Sequence, residues 1–87
     1  LQEALVVKRH HLDTNHHVNN QQFIDMAMEY LPDDFRIRQV RAEYKKQAFL
    51  NEVLIPRVTE GDDRVVIVLG DGDGKPYVTA EFMRRQV

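Results

Sequence analysis

Apolar side chains recur along this chain with two periods. Between residues 20 and 31 the spacing is helical: Phe23, Ala27, Tyr30 and Leu31 follow one line, Ile24, Met28 and Leu31 the next. Only Gln22, Asp25 and Glu29 form a polar stripe, so the pattern predicts a helix of about three turns, apolar around most of its circumference and enclosed by its surroundings. Met26 and Met28 read as core filler within it. Asn19 or Asn20 caps its start, because an asparagine side chain accepts from the N–H two or three residues on, and Pro32 stops it.

Elsewhere the period is two. Residues 3–10, rich in Val, predict a first strand, and 35–48 a long half-buried one with Val40, Ala42, Tyr44 and Ala48 inward and Arg41, Glu43 and Lys45 outward. A third strand spans 52–59, and Pro56, which cannot donate to a ladder, marks an edge or bulge in it. Residues 64–69 are apolar on both faces after Arg64, as in an interior strand covered on both sides, and 77–82 alternate again. Gly61-Asp62-Asp63 and Gly70-Asp71-Gly72-Asp73-Gly74 supply the hairpin turns. Strand, helix and four strands on short turns favour an α+β domain in which a five-stranded antiparallel sheet wraps one nearly buried helix.

Eighty-seven residues make a single domain over 1–87, with no internal repeat or linker. A chain of this size buries only ~60–65% of the surface its unfolded form exposes, so a partner covering a further face is expected. With 43% hydrophobic and 30% charged residues and a net charge of −2, nothing reads as a disordered tail. No apolar run reaches membrane-spanning length. The absence of a signal-peptide pattern and of cysteine points to a cytoplasmic protein. The first residue is Leu1, which suggests a piece of a longer polypeptide.

Candidate chemistry gathers before the helix, in Asp13-Thr14-Asn15-His16-His17-Val18-Asn19-Asn20. If residues 12–18 are extended, Asp13, Asn15 and His17 face one side and Thr14 and His16 the other. The unpaired N–H groups around Val18, Asn19 and Asn20, at the helix N-terminus, then suit a developing negative charge. The spacing alone equally fits a loop whose Asx side chains stabilise turns and cap the helix. Serine and cysteine are both absent, leaving Thr14, Thr59, Thr79, a carboxylate or an activated water as nucleophile, with water the simplest. His10, His11, His16 and His17 match no familiar zinc spacing, and Asp71-x-Asp73-Gly74 lacks the remaining ligands of a calcium loop, so no metal or cofactor is expected. Arg36, Arg38, Arg41, Lys45 and Lys46 make one strand locally basic. Without an overall basic balance or interleaved aromatics this does not indicate nucleic acid.

Asp13-x-Asn15-x-His17-Val18-Asn19-Asn20, followed by a hydrophobic helix and then Glu43-Tyr44-Lys45-Lys46-x-Ala48, resembles the acyl-acyl carrier protein thioesterases of the hotdog superfamily. The resemblance implies a hotdog fold, a sheet curled around a central helix. It also implies two such units in tandem, of which this chain resembles the second, C-terminal one, covered by the other unit in cis or by a second copy. The implied activity, part of fatty-acid biosynthesis, is hydrolysis of the thioester between a fatty acyl chain and the phosphopantetheine arm of acyl carrier protein. The alternatives are an acyl-CoA thioesterase and a non-catalytic, acyl-binding half. Asp13, Asn15 and His17 carry over as site residues. Relatives from plants place a glutamate and a cysteine where this chain has Gln47 and Ala48, which excludes a cysteine nucleophile there and turns attention to Glu43 and Glu52. Strand parity sets Gln47 on the face opposite Tyr44 and Ala48 unless a bulge near Lys46 turns it inward. Arg38, Arg41 and Lys45 are the expected docking residues for an acidic carrier protein.

Overall fold

Asn19 begins the helix by accepting, through its side-chain oxygen, the N–H of Gln22 at 2.9 Å. The helix, α1, spans Asn20–Met28 in a computed structural model that describes residues 4–85. Beyond Met28 the chain tightens: Glu29, Tyr30 and Leu31 donate to Met26, Ala27 and Met28, each three residues back, and Pro32 ends the run. The helix is therefore three residues shorter than the apolar spacing suggests.

The strands are β1 (Leu5–Val6), β2 (Ile37–Tyr44), β3 (Val53–Glu60), β4 (Arg64–Gly70) and β5 (Pro76–Arg84). They form one antiparallel sheet in the order β1-β3-β4-β5-β2. Register fixes the two faces, because directly paired residues share a side. Val65, Ile67 and Leu69 of β4 lie beside Phe82, Ala80 and Val78 of β5, and all six are buried with Phe23, Met26 and Ala27 of α1. Pro56 sits two residues past the short β1 pairing, where the far side of β3 carries no partner among the described residues. At the turn of β4 and β5 the Asp71 carboxylate accepts from the N–H of Asp73 and of Lys75 and from the Lys46 ammonium. Gly74 takes φ +85 there, a conformation side chains disfavour.

Four expectations need correction. The strand expected at 3–10 is two residues long; Glu3 lies outside the described residues, and past Val7 the chain turns into a 3-10 helix, Arg9–His11. The inward face of β2 is not buried: Val40 and Tyr44 remain 39% and 42% exposed. A nine-residue helix reaches about 14 Å, whereas eight strand residues span about 27 Å, and α1 packs on β4 and β5 instead. For the same reason the helix is enclosed only along its Phe23-Met26-Ala27 line, and Met28 is 42% exposed. On the outer face of β4, Val66 and Val68 are half-buried rather than covered.

Tyr77, at the start of β5, joins the layers. Its ring is 4% exposed, lies 6.4 Å from that of Phe23, and carries the Lys46 ammonium 4.5 Å above it. Its hydroxyl donates to Glu52 Oε2 at 3.0 Å. Burial, and then the Glu52 carboxylate, push the phenol up to about 12. The folded state holds this proton more tightly than the unfolded chain does, so the contribution is full below the ordinary phenol value near 10 and is lost as pH rises through about 12. The expected outcome is a Tm that falls between pH 10 and 12 in the parent protein and falls less steeply in Tyr77→Phe, read by circular dichroism.

Candidate active site

The loop before α1 is a closed turn, not an extended strand. Leu12 and Val18 face each other in a bridge, the Asp13 N–H donates to the His17 carbonyl at 3.0 Å, and the His16 N–H returns to the Asp13 carbonyl at 3.0 Å. His16 pays for the reversal with φ 66. Alternation therefore does not bring the polar groups together; the turn does. It sets the Asp13 carboxylate Oδ2 3.6 Å from His17 Nδ1, while Asp13 Oδ1 accepts the Asn15 N–H at 2.8 Å. Nδ1 also lies 3.4 Å from the Val18 carbonyl. With Nδ1 so occupied, Nε2 is the ring nitrogen with no protein partner among the described residues. Asn15 is exposed, and its side chain makes no hydrogen bond among the described residues.

The His17–Val18 segment is held from the other side by the connection between β2 and β3. Val18 N–H donates to Ala48 O at 2.8 Å, His17 and Phe49 form a bridge, and the Phe49 ring meets the imidazole edge-on at 6.4 Å. Val18 thus has no free donor for an oxyanion. The N–H groups of Asn19 and Asn20 have no acceptor among the described residues. An open cavity of about 380 Å³ lies here, lined by His17, Asn20, Phe23, Tyr44, Lys46 and Gln47 among others. Gln47 reaches it because β2 ends at Tyr44 and the next two N–H groups, of Lys45 and Lys46, both point at the Tyr77 carbonyl (2.8 and 3.4 Å), which bends the chain out of strand parity.

The family profile described as Acyl-ACP thioesterase C-terminal domain matches residues 1–65. The chain belongs to the acyl-ACP thioesterase C-terminal domain family. No curated protein matches the sequence. Among solved structures, an acyl-ACP thioesterase from Bacteroides thetaiotaomicron superposes with a TM-score of 0.86 at 17% identity, over 95% of this chain and 36% of that one. The chain thus spans about a third of that protein. The probable thioesterase YbaW from Escherichia coli gives a TM-score of 0.65 at 18% identity, over 92% and 77% of the two chains. A hypothetical thioesterase from Streptococcus pneumoniae, solved with coenzyme A, gives 0.71 at 15% identity over 95% and 78%. These likenesses establish the fold, a hotdog.

Within this acyl-ACP thioesterase C-terminal domain the three basic residues expected at a docking surface are spread apart. Arg38 is at the start of β2 and Lys45 just past its end, seven residues or about 23 Å along the strand. Arg41 lies 4.0 Å from Glu81 on the outer face, and Lys45, beside the cavity, lies 2.6 Å from Glu43. His10 and His11 line a different cavity from His17: their rings meet tilted at 53° with centroids 4.0 Å apart, and burial, then His10 and Lys8, hold His11 below the ordinary imidazole range. Among the described residues no three His, Asp or Glu side chains are grouped to hold a metal ion. Sequence reasoning did not single out Phe23 and Tyr44 as walls of the site. Tyr44, whose hydroxyl is 3.5 Å from the Asn20 carbonyl, follows directly on Glu43 in the quoted motif and was the available signal.

The turn makes a conformational demand that can be tested. Since His16 is exposed and holds positive φ, His16→Gly relieves strain at the reversal and is expected to leave stability unchanged or raise it by up to about 1 kcal/mol. Chemical denaturation checks this, and a loss exceeding about 1 kcal/mol would mean that the His16 side chain itself holds the turn.

Proposed function

We propose that this domain is the hydrolytic half of an acyl-ACP thioesterase, cleaving a fatty acyl thioester with water. The observation that carries the reading is the Asp13–His17 pair at 3.6 Å, its imidazole lining a cavity that also contains the first residue of α1 and apolar ring surface. His17 Nε2 takes a proton from water as the oxygen bonds to the thioester carbonyl carbon. The carbonyl oxygen becomes the anion, within reach of the N–H groups of Asn19 and Asn20 at the positive end of α1. The C–S bond then breaks, the thiolate recovers the proton from His17, and the fatty acid departs. Asp13 holds the ring orientation and offsets its transient charge. Asn15 and Gln47 are amides that position water or carbonyl but take no proton. Phe23 and Tyr44 offer surface to the acyl chain.

The exposed inward face of β2 supports a second hotdog unit, in cis or as another copy, covering Val40 and Tyr44. Arg41 and Lys45 are the docking candidates nearest that region, with Arg38 at the far end of the strand. A second reading, an acyl-CoA thioesterase, is favoured by the pneumococcal relative solved with coenzyme A.

The test is thiol release by the full polypeptide that contains this domain, with acyl carrier protein and CoA carrying the same acyl group. His17→Ala is expected to lower turnover by about a hundredfold or more, and His16→Ala to change it little. A higher kcat/KM for the carrier-bound substrate supports the proposed substrate, and the reverse order supports the CoA reading. Equal small effects of the two histidine variants would place the chemistry elsewhere.

A further inference from the structure

Glu52 lies five residues past Gln47, close enough in sequence to be weighed as an alternative base, yet both of its oxygens are engaged. Oε1 accepts the Phe49 N–H at 2.7 Å, and Oε2 accepts the buried Tyr77 hydroxyl at 3.0 Å. The Glu52 N–H donates in turn to the Phe49 carbonyl at 3.1 Å, so one residue closes the 49–52 turn through both backbone and side chain. Within that turn Asn51 takes φ 70, a conformation needing outside support, and its N–H donates to the Val7 carbonyl at 3.0 Å. The turn is thereby fixed to Val7, just past β1, on one side and to β5 on the other. Its first residue, Phe49, is the partner of His17.

We infer that Glu52, with Tyr77, is a positioning residue of the proposed hydrolytic site: it locks the Gln47–Phe49 segment against the His17–Val18 segment and does not itself activate water. The inference rests on the reading of His17 as the proton-transfer group. A carboxylate that accepts two hydrogen bonds, one from a buried phenol, is a rigid anchor and has little freedom to approach a substrate. If the anchor is removed, the turn loses its tie to β5 and the 17–18/48–49 pairing is held only by backbone. A displacement of about 1 Å at a reacting group costs on the order of a hundredfold in rate.

The experiment compares Glu52→Ala, Glu52→Gln and Tyr77→Phe in the full polypeptide, with Glu60→Gln, at the exposed end of β3, as control. Glu52→Ala is expected to lower kcat by about 10- to 100-fold with KM changed less and the pH profile unchanged in shape. Glu52→Gln and Tyr77→Phe, which each keep part of the clamp, should lose less, and Glu60→Gln nothing. Independently of activity, amide exchange at Phe49 should accelerate about tenfold or more in Glu52→Ala while Ile67 and Leu69 stay protected. Unchanged Phe49 exchange overturns the inference whatever the activity does. So does a kcat within twofold of the parent, or a loss that merely tracks the unfolded fraction. Glu52→Gln as inactive as Glu52→Ala, with a titration lost from the pH profile, would instead make Glu52 the base. Failure of the hydrolytic reading shows separately, as His17→Ala retaining full turnover.

Discussion

The pairing of residues 17–18 with 48–49 is the constraint on which the site depends. It joins two connections that are otherwise far apart in sequence, the turn leading into α1 and the link from β2 to β3. The Val18 N–H to Ala48 O bond closes it at 2.8 Å, and Ala48 and Val18 are both buried, so water does not compete for it. From this junction the other placements follow. The Asp13 turn is closed onto His17, the cap at Asn19 comes next, and Phe23 one helical turn later meets Tyr77. Glu52 and Tyr77 extend the same constraint into the sheet.

The remainder of the structure is a half-covered shell. β4, at the centre of the sheet, has α1 on one face, but the apolar face of β2 stays largely open, with Val40 and Tyr44 exposed. Burying the exposed parts of Val40, Tyr44 and Met28 is worth of order 1 kcal/mol each at about 25 cal/mol per Å². A covering unit would therefore stabilise the domain and wall off the open side of the cavity, which also lies against Tyr44. Both consequences belong to one surface, which links association to the shape of the proposed acyl site.

Much of this was legible in the chain. The helix and the order of strands followed from periodicity and from glycine-rich turns, because those signals are local. The Asp13–His17 pairing was also anticipated, though for the wrong geometric reason: an extended segment was expected, and a left-handed His16 produces a turn with the same juxtaposition. Nothing in a histidine's identity announces positive φ, a conformation imposed by the closing bonds around it. β1 was overestimated because Val-rich sequence favours a strand wherever a partner exists, and the partner stretch in β3 is short. The exposure of β2 was not readable at all, since alternation reports which face is apolar and not whether a layer lies against it. Gln47 followed neither parity because two N–H groups share the Tyr77 carbonyl.

The central claim is that water, activated at His17 while Asp13 orients the imidazole and forms no bond to the acyl group, attacks the thioester directly. A single turnover in water enriched in oxygen-18, with enzyme in excess over acyl thioester, tests it most directly. Direct attack places the heavy oxygen in the fatty acid released in that first turnover and leaves the protein unlabelled, as read by mass spectrometry of product and peptide. Fatty acid emerging with ordinary oxygen, and the label appearing in the peptide containing Asp13, would show that the carboxylate had formed an anhydride with the acyl group, and the account would be contradicted.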